Sequence, residues 1–456
     1  MKRISMMKAI RLCHKYEKMP AMQRQVLQRE RLRELVINAK ENSPYFSKLY
    51  ADIPDDFSLS DLPVTNKRDL MEHWNDWVTD RSVTLEQING FMQNKDNIGR
   101  KWRKKYMVVT TSGSTGNPLV MLCDDTVNHV LGAISAGRSY ARKEDMGAFI
   151  RKGGKSMGVY ADGGFYLGNS TIRSKLLMMP WKKHQFGISS ALYPTEKIVE
   201  ELNRFQPAML GGYPSNLELL IEEQKSGRLH ISPVIIMTGG EYLSDSLRER
   251  LEDTFHCYVQ TSYACTEGGT VACECQEKHF HINDDWLIVE PVDQYGNPVP
   301  DGKLADKYLL TNLYNYTQPI IRYEVTDRIV FHQETCACGN LSPWIEIEGR
   351  NDDVLTFEKG DTKLRVPPLA IYAELKEVHE LRRFQLLKYP NNRLELRLEP
   401  MADVSREDAF EKACKALRVQ FGIYGVENLD ISLSEELPKQ HPVSGKFKHI
   451  INVDEK

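Results

Sequence analysis

The sequence predicts an α/β protein: a large N-terminal domain of parallel, helix-covered strands with a barrel-like β region, followed by a small α+β domain at the C-terminus. Three observations predict it. Between Gln185 and Phe255 apolar strand-like runs alternate with helical patterns, the signature of a parallel sheet covered by helices. From Leu287 the texture changes to short strands parted by Gly and Pro turns such as Tyr295-Gly296-Asn297-Pro298, which reads as antiparallel pairing or a small barrel. Beyond Gly349 a third texture of two strand–helix alternations reads as a separate α+β unit, giving domains 1–349 and 350–456. A length of 456 residues agrees, since domains average roughly 150 residues.

Taken in order, Met22–Lys40 spaces Val26, Leu27, Leu32, Leu35, Val36 and Ala39 as an amphipathic surface helix. Asn42–Arg68 is broken by Ser43-Pro44, Ile53-Pro54 and Leu62-Pro63 and reads as a wrapping arm ending in a short helix near Asp69–Trp77. Strands are expected at Tyr106–Val109 and Leu119–Cys123, then a helix capped by Asp124 or Asp125 and running to about Arg142, with His129 in a structural role. The alternation that follows pairs Gln185–Ile188 with Thr195–Phe205, Ala208–Leu210 with Asn216–Gln224, and Val234–Thr238 with Ser244–Phe255. LIVEPVD, KYLLTNL, PIIRYEV and DRIVFH are the antiparallel strands. The C-terminal unit reads as extended Asp353–Phe357, helix Ala370–Val378, strands Phe384–Lys388 and Leu394–Glu399, helix Arg406–Gln420 and strand Asp430–Leu433.

Composition narrows the partners. Lys+Arg 60 against Asp+Glu 63 leaves a net charge of −3, which argues against nucleic acid and anionic membranes and for small-molecule chemistry. Arg3, Lys8 and Arg11 interrupt the N-terminal apolar runs, so no signal peptide is expected, and no later run is long enough to span a bilayer. The nine cysteines, four of them in the pairs Cys273/Cys275 and Cys336/Cys338, suit a reducing cytoplasm and metal binding better than disulfides. A homodimer is left open.

The most informative stretch is Thr110–Pro118, TTSGSTGNP, whose small residues let backbone N–H groups approach an anion while its hydroxyls donate to it. No lysine follows Gly113 or Gly116, and GGKS at Gly153–Ser156 has Phe149 where a Walker loop requires glycine, so neither is a Walker motif. Ligands of parallel sheets sit beyond the carboxyl ends of the strands. Two loops leave strands there, Thr238-Gly239-Gly240-Glu241 and Tyr263-Ala264-Cys265-Thr266-Glu267-Gly268-Gly269, and each sets a glutamate beside glycine, a way to hold magnesium against phosphate oxygens.

Together with IIRYEVTD, EGRNDD and PVSGKFKHI, the segments TTSGSTGNP and YACTEGG resemble, in order and over nearly the whole chain, the adenylate-forming superfamily of acyl-CoA synthetases, adenylation domains and luciferases. The likeness is greatest to the phenylacetate–CoA ligase branch and its capsule-protein-like coenzyme adenylyltransferases. The resemblance implies that Ser112, Gly113, Ser114, Thr115 and Gly116 hold the ATP phosphates, that Glu267 with Thr266 supports magnesium, and that Gly240, Glu241 and Tyr263 line the adenine and acyl side. It further implies that Asp327, assisted by Arg350, takes the ribose, that Asp352 is the hinge, and that Lys446, after the Ser444-Gly445 turn, serves acyl-adenylate formation. Ala264-Cys265 departs from the family pattern near the acyl group, and Tyr160, Phe165, Tyr166 and Tyr213 could line an aryl pocket or pack the core.

Cys275, His281, Cys336 and Cys338 supply three thiols and one imidazole, a complete tetrahedral and therefore structural zinc set, with Cys273 and His279 as alternative members. The expected activity is ATP-dependent conversion of a carboxylic acid, an aromatic one by the resemblance, to an acyl-adenylate and then a CoA thioester. Two other readings stand beside it: adenylyl transfer to a coenzyme or natural-product hydroxyl without CoA, and a catalytically silent nucleotide-binding protein.

Overall fold

The computed structural model describes residues 4–111, 118–350, 354–359, 362–366, 368–390, 392–427, 429–442 and 445–453. The chain divides into two compact units, one of Met1–Val325 with Val330–Glu346 and one of Thr326–Ile329 with Ile347–Lys456.

The first unit opens with helices α1 (Met6–Glu17), α2 (Ala21–Asn42), α3 (Pro44–Leu49), α4 (Lys67–Glu72), α5 (Trp74–Trp77) and α6 (Leu85–Met92). Ser5 caps α1, which buries Ala9, Cys13 and Tyr16. Strands β1 (Lys101–Trp102), β2 (Tyr106–Thr110) and β3 (Val120–Cys123) form a small antiparallel sheet. Helix α7 (Asp125–Arg138) starts on the Asp124 side-chain cap. It ends earlier than expected, and a separate α8 (Lys143–Arg151) follows, its start fixed by the Arg142 guanidinium gripping Asp145 at 2.7 and 2.8 Å.

Strand β4 (Ser156–Tyr160) and helix α9 (Leu167–Met178), which the periodicity did not mark, precede the expected alternation of β5 (Phe186–Ser190), α10 (Thr195–Phe205), β6 (Met209–Gly212), α11 (Pro214–Lys225), β7 (Ile235–Gly239) and α12 (Asp245–Phe255). The central glycine of β4 hides that strand from an apolar reading. Gly158 lies under the Tyr160 ring, where a Cβ would come within 2.7 Å. Strand β8 (Tyr258–Cys265) completes the parallel set, in which β5, β4, β6, β7 and β8 are neighbours. Its core is built by Val159, Leu210, Ile236 and Val259 against Leu202, Leu217, Leu220 and Leu251 of the covering helices.

The same sheet then turns antiparallel through β9 (Gly269–Glu274) and β10 (Phe280–Ile282). Strands β11 (Leu287–Val292), β13 (Lys307–Asn312) and β14 (Tyr323–Val325) make a separate three-stranded antiparallel sheet, while β12 (Leu304–Ala305), β15 (Asp327–His332) and β16 (Trp344–Arg350) extend the large one to ten strands. DRIVFH therefore leaves the group of short strands with which it was read.

The second unit contains β17 (Leu355–Lys359), β18 (Thr362–Val366), α13 (Pro368–Lys376), β19 (Leu381–Lys388), β20 (Arg393–Pro400), α14 (Arg406–Ile423), β21 (Asp430–Leu433) and β22 (Ile450–Asn452). Its four-stranded sheet runs β21-β20-β19-β22, and Phe384, Leu386, Leu394, Leu396 and Leu398 meet Ala409, Ala413, Leu417 and Phe421 of α14 in the core. Among the described residues no helix is long and apolar enough to cross a membrane.

Candidate functional site

The parallel register gathers the expected carboxyl-end loops of the first unit. Gly212 of β6 sits opposite Thr238 of β7, and Gly239 opposite Ser262 of β8, so the segments Gly240-Glu241 and Tyr263–Glu267 emerge side by side. Glu241 turns back onto the start of α11, where its Oε2 accepts the Ser215 N–H at 3.1 Å. The Ser/Gly loop springs from the same edge: Thr110 N donates to Phe165 O just past β4, and Thr110 bridges Tyr166. Its base is closed by Thr111, whose N–H donates to Leu119 O at 3.1 Å and whose Oγ1 accepts Leu119 N–H at 2.8 Å. Ser112, Gly113, Ser114, Thr115 and Gly116 lie outside the described residues, as does Asp352, and the Arg350 side chain is not described.

Glu267 stands at the tip of the hairpin that joins β8 to β9, where Cys265 pairs with Gly269. The turn demands glycine: Gly269 has φ +65°, and a Cβ there would strike Leu131 Cδ2 at 2.2 Å. Gly268 N–H donates to Cys265 Sγ at 3.3 Å, so the departure from the family pattern is built into the turn itself. The Glu267 carboxylate is buried, and Tyr323 OH donates to its Oε1 at 3.0 Å. Asn312 Nδ2 donates to the Glu267 carbonyl at 2.9 Å, and Tyr314 OH to that of Gly268 at 2.8 Å. Tyr323, Asn312 and Tyr314 were not singled out in the sequence, because their link to Glu267 spans more than forty residues; the only available signal was the Tyr323 hydroxyl in IIRYEV. Tyr263 pairs its hydroxyl with that of Tyr308 at 2.8 Å.

Of the four aromatic residues considered for an aryl pocket, Tyr160 and Tyr213 pack edge to face at 5.3 Å, and their hydroxyls meet the backbone of Gly212 and Ala161. Burial pushes the Tyr160 phenol up to about 12 and the Tyr213 phenol higher still. Both therefore act as neutral packing groups with satisfied hydroxyls, and Phe165 is likewise buried. His129 is tied to the Ile4 carbonyl at 2.8 Å, the structural role expected of it.

In the second unit, Lys446 lies in a turn closed by His441 N–H to Lys446 O and by Gly445 N–H to His441 O, both at 2.9 Å. The next residue, Phe447, is buried under the Arg383 guanidinium at 4.6 Å and packs against His449. Asp327 belongs to this unit as well, whereas Gly240, Glu241, Tyr263, Thr266 and Glu267 belong to the first.

The cysteine cluster is tightly assembled. The ligand atoms of Cys275, His281, Cys336 and Cys338 all lie within 4.8 Å of one another. The Cys275 and Cys336 sulfurs are 3.8 Å apart, and Cys338 Sγ is 3.3 Å from His281 Nε2. A zinc tetrahedron with bonds of ~2.3 Å to sulfur has S–S edges of about 3.8 Å, so the arrangement fits that ion. His281 Nδ1 faces the Ser342 carbonyl at 2.8 Å, which directs the Nε2 lone pair at the cluster, and burial holds the imidazole below its ordinary range and hence neutral. Cys273 is not in the set: it is buried beside Asn283 Nδ2 at 3.8 Å. His279 touches the cluster from outside, with Nδ1 3.2 Å from Cys336 Sγ and its ring stacked on Trp344 at 3.8 Å. It is Cys275 and His281 that cluster with Cys336 and Cys338, while Cys273 lies beside Asn283.

Known proteins resemble this chain throughout. No family model matches it. The protein CapK of Staphylococcus aureus is 26% identical over 348 residues, covering 73% of this chain and 70% of that one. The phenylacetate-coenzyme A ligase of Thermus thermophilus is 25% identical over 381 residues, covering 80% and 78%. Among solved structures, 2-hydroxyisobutyryl-CoA ligase in the postadenylation state with 2-HIB-AMP superposes with a TM-score of 0.71 at 18% identity, covering 97% of this chain and 91% of that one. The anthranilate CoA ligase complex with anthranoyl-AMP gives 0.52 at 14% identity over 75% and 65%. In sequence the chain is thus similar to CapK and to phenylacetate-coenzyme A ligases, and it shares the fold of 2-hydroxyisobutyryl-CoA ligase.

Proposed function

We propose that the protein activates a carboxylic acid with ATP to an acyl-adenylate, releases pyrophosphate, and passes the acyl group to CoA. The observation that carries the reading is the buried Glu267, fixed at the hairpin tip by Tyr323 and set among the carboxyl-end loops of the parallel sheet. A buried carboxylate held beside the carboxyl-end loops suits a divalent ion. Magnesium, when bound, supplies charge neutralisation for the phosphates.

Attack of a carboxylate on the α-phosphorus of ATP brings two anions together, so the protein's task is positioning and charge compensation. Residues 112–116 would hold the phosphates through backbone N–H and hydroxyl groups. Gly240, Glu241 and Tyr263 would flank the adenine and acyl side, and Asp327 with Arg350 would hold the ribose. Lys446 would supply the cation for adenylate formation. The second unit would act as a lid hinged at Asp352, shielding the mixed anhydride from water. Cys275, His281, Cys336 and Cys338 would hold a structural zinc ion that fastens the β9–β10 hairpin to the Cys336–Ser342 loop. The aromatic character of the acid rests on the two phenylacetate ligases among the relatives.

The test is exchange of labelled pyrophosphate into ATP with phenylacetate, benzoate, anthranilate and 2-hydroxyisobutyrate, followed by AMP release with and without CoA. Acid-dependent exchange and a CoA-stimulated AMP release are expected. Exchange that CoA leaves untouched would favour adenylyl transfer, and no exchange with any acid would refute the ligase. Lys446→Ala should abolish exchange yet spare thioester formation from supplied acyl-adenylate; equal loss in both would contradict its role.

A further inference from the structure

The segment that carries Lys446 is irregular backbone, and irregular backbone that packs against a sheet must find partners for its N–H and C=O groups. Here one side chain supplies many of them. In β19, Phe384 and Leu386 point into the core shared with α14, so Gln385 between them points to the opposite face, where the lysine-bearing segment covers it and leaves it 2% exposed. Its Nε2 donates to Lys439 O at 3.1 Å and to Lys448 O at 2.9 Å, one carbonyl on each side of the turn. Its Oε1 accepts Lys439 N–H at 3.4 Å and the Arg397 guanidinium at 3.2 Å from the facing position of β20. Arg397 in turn pairs with Glu436, which also takes Lys439 Nζ at 2.7 Å. On the outgoing side Leu386 N–H donates to His449 O at 2.7 Å, and Phe447 is anchored under Arg383.

We propose that Gln385 is the positioning residue for Lys446: its amide clamps the segment entering the turn, at Lys439, to the segment leaving it, at Lys448, and so fixes where the lysine backbone can stand. This inference rests on the assignment of Lys446 to adenylate formation. The amide is suited to the task, because it alone among side chains of its length offers two donors and an acceptor in one rigid plane. A hydrophobe at this position would leave Lys439 O and Lys448 O without their buried donor. The turn would loosen while the helix-covered face of the sheet, which Gln385 does not touch, would keep its packing.

The test uses the full chain with Gln385→Met, which keeps length and removes all four bonds, and Gln385→Glu, which keeps the acceptor toward Arg397 and removes both donors. Misplacement of a catalytic group by about 1 Å can cost about 100-fold. Pyrophosphate exchange with an acid from the panel above should accordingly fall about 10- to 100-fold in both variants, while thioester formation from supplied acyl-adenylate stays within about twofold of wild type. By hydrogen exchange, amides of residues 445–449 should lose protection in the variants while those of β20 keep it. Unchanged exchange kinetics with unchanged amide protection would overturn the proposal, and so would an equal loss in the two half-reactions, which marks a general structural role. Should Gln385→Met fail to fold, Gln385→Glu carries the same comparison. Absence of exchange in the wild type would instead sink the ligase reading, and the amide-protection arm would still decide whether Gln385 braces the turn.

Discussion

Replacing Tyr323 by Phe removes one oxygen atom and leaves the ring where it packs, so it isolates the bond to Glu267 Oε1. That bond joins a neutral donor to a carboxylate in a buried setting, since Tyr323 and Glu267 are 4% and 8% exposed. Hydrogen bonds to charged groups contribute about 1.5–3 kcal/mol, whereas neutral ones give about 1. The hairpin keeps its backbone ties through Asn312 and Tyr314, so the fold should tolerate the loss, and the cost falls on the aim of the carboxylate. Partners that orient a metal-binding group typically contribute 10- to 100-fold in affinity, a range of about 1.4–2.8 kcal/mol that agrees with the bond's own value. The assay is pyrophosphate exchange as a function of free magnesium. The half-saturating concentration should rise about 10- to 100-fold, with the rate at saturating magnesium approaching wild type. An unchanged magnesium dependence, or a rate loss that no magnesium concentration restores, would refute the idea that Tyr323 aims Glu267 at the ion.

Other consequences follow from the buried polar groups. The Arg248–Glu274 pair is almost wholly buried, with the guanidinium also donating to Val259 O at 2.7 Å and the carboxylate accepting Thr261 N–H at 3.0 Å. Arg248→Met strands that charge and should cost about 3–5 kcal/mol in denaturant unfolding, and adding Glu274→Gln, which removes the charge but keeps an acceptor for Thr261, should recover part of it. A loss below about 1 kcal/mol would show the pair to be solvated. At the cysteine cluster, elemental analysis should find about one zinc per chain. With free zinc at about 1,000 times Kd, chelation should remove about 4 kcal/mol of stability and Cys336→Ser should abolish the effect. Trace metal together with stability indifferent to chelator would retire the site.

Periodicity made the parallel half legible because its strands are apolar on both faces and its helices amphipathic. It failed at β4 and α9 for an identifiable reason: β4 spends Gly158 to seat the Tyr160 ring, and α9 buries Asn169, Ser170 and Ser174 instead of an apolar stripe. Helix α7 was read too long because Ala141 and its neighbours continue a helical composition, whereas the Ala141 N–H is taken by Gln260 Oε1 at 2.9 Å, a partner far along the chain.

By itself the sequence determined the order of the five motifs, the strand–helix alternation and the presence of two Cys/His groups able to supply metal ligands, since each depends on residue type within a short segment. The tertiary structure decided which neighbours each motif acquires. It set Tyr323 on Glu267, turned Cys273 away from Cys275, used Tyr160 and Tyr213 as packing, and placed Gln385 across the base of the Lys446 turn. These are contacts between strands distant in sequence, fixed by sheet register and by the need to satisfy buried polar groups, and neither requirement leaves a local pattern in the chain.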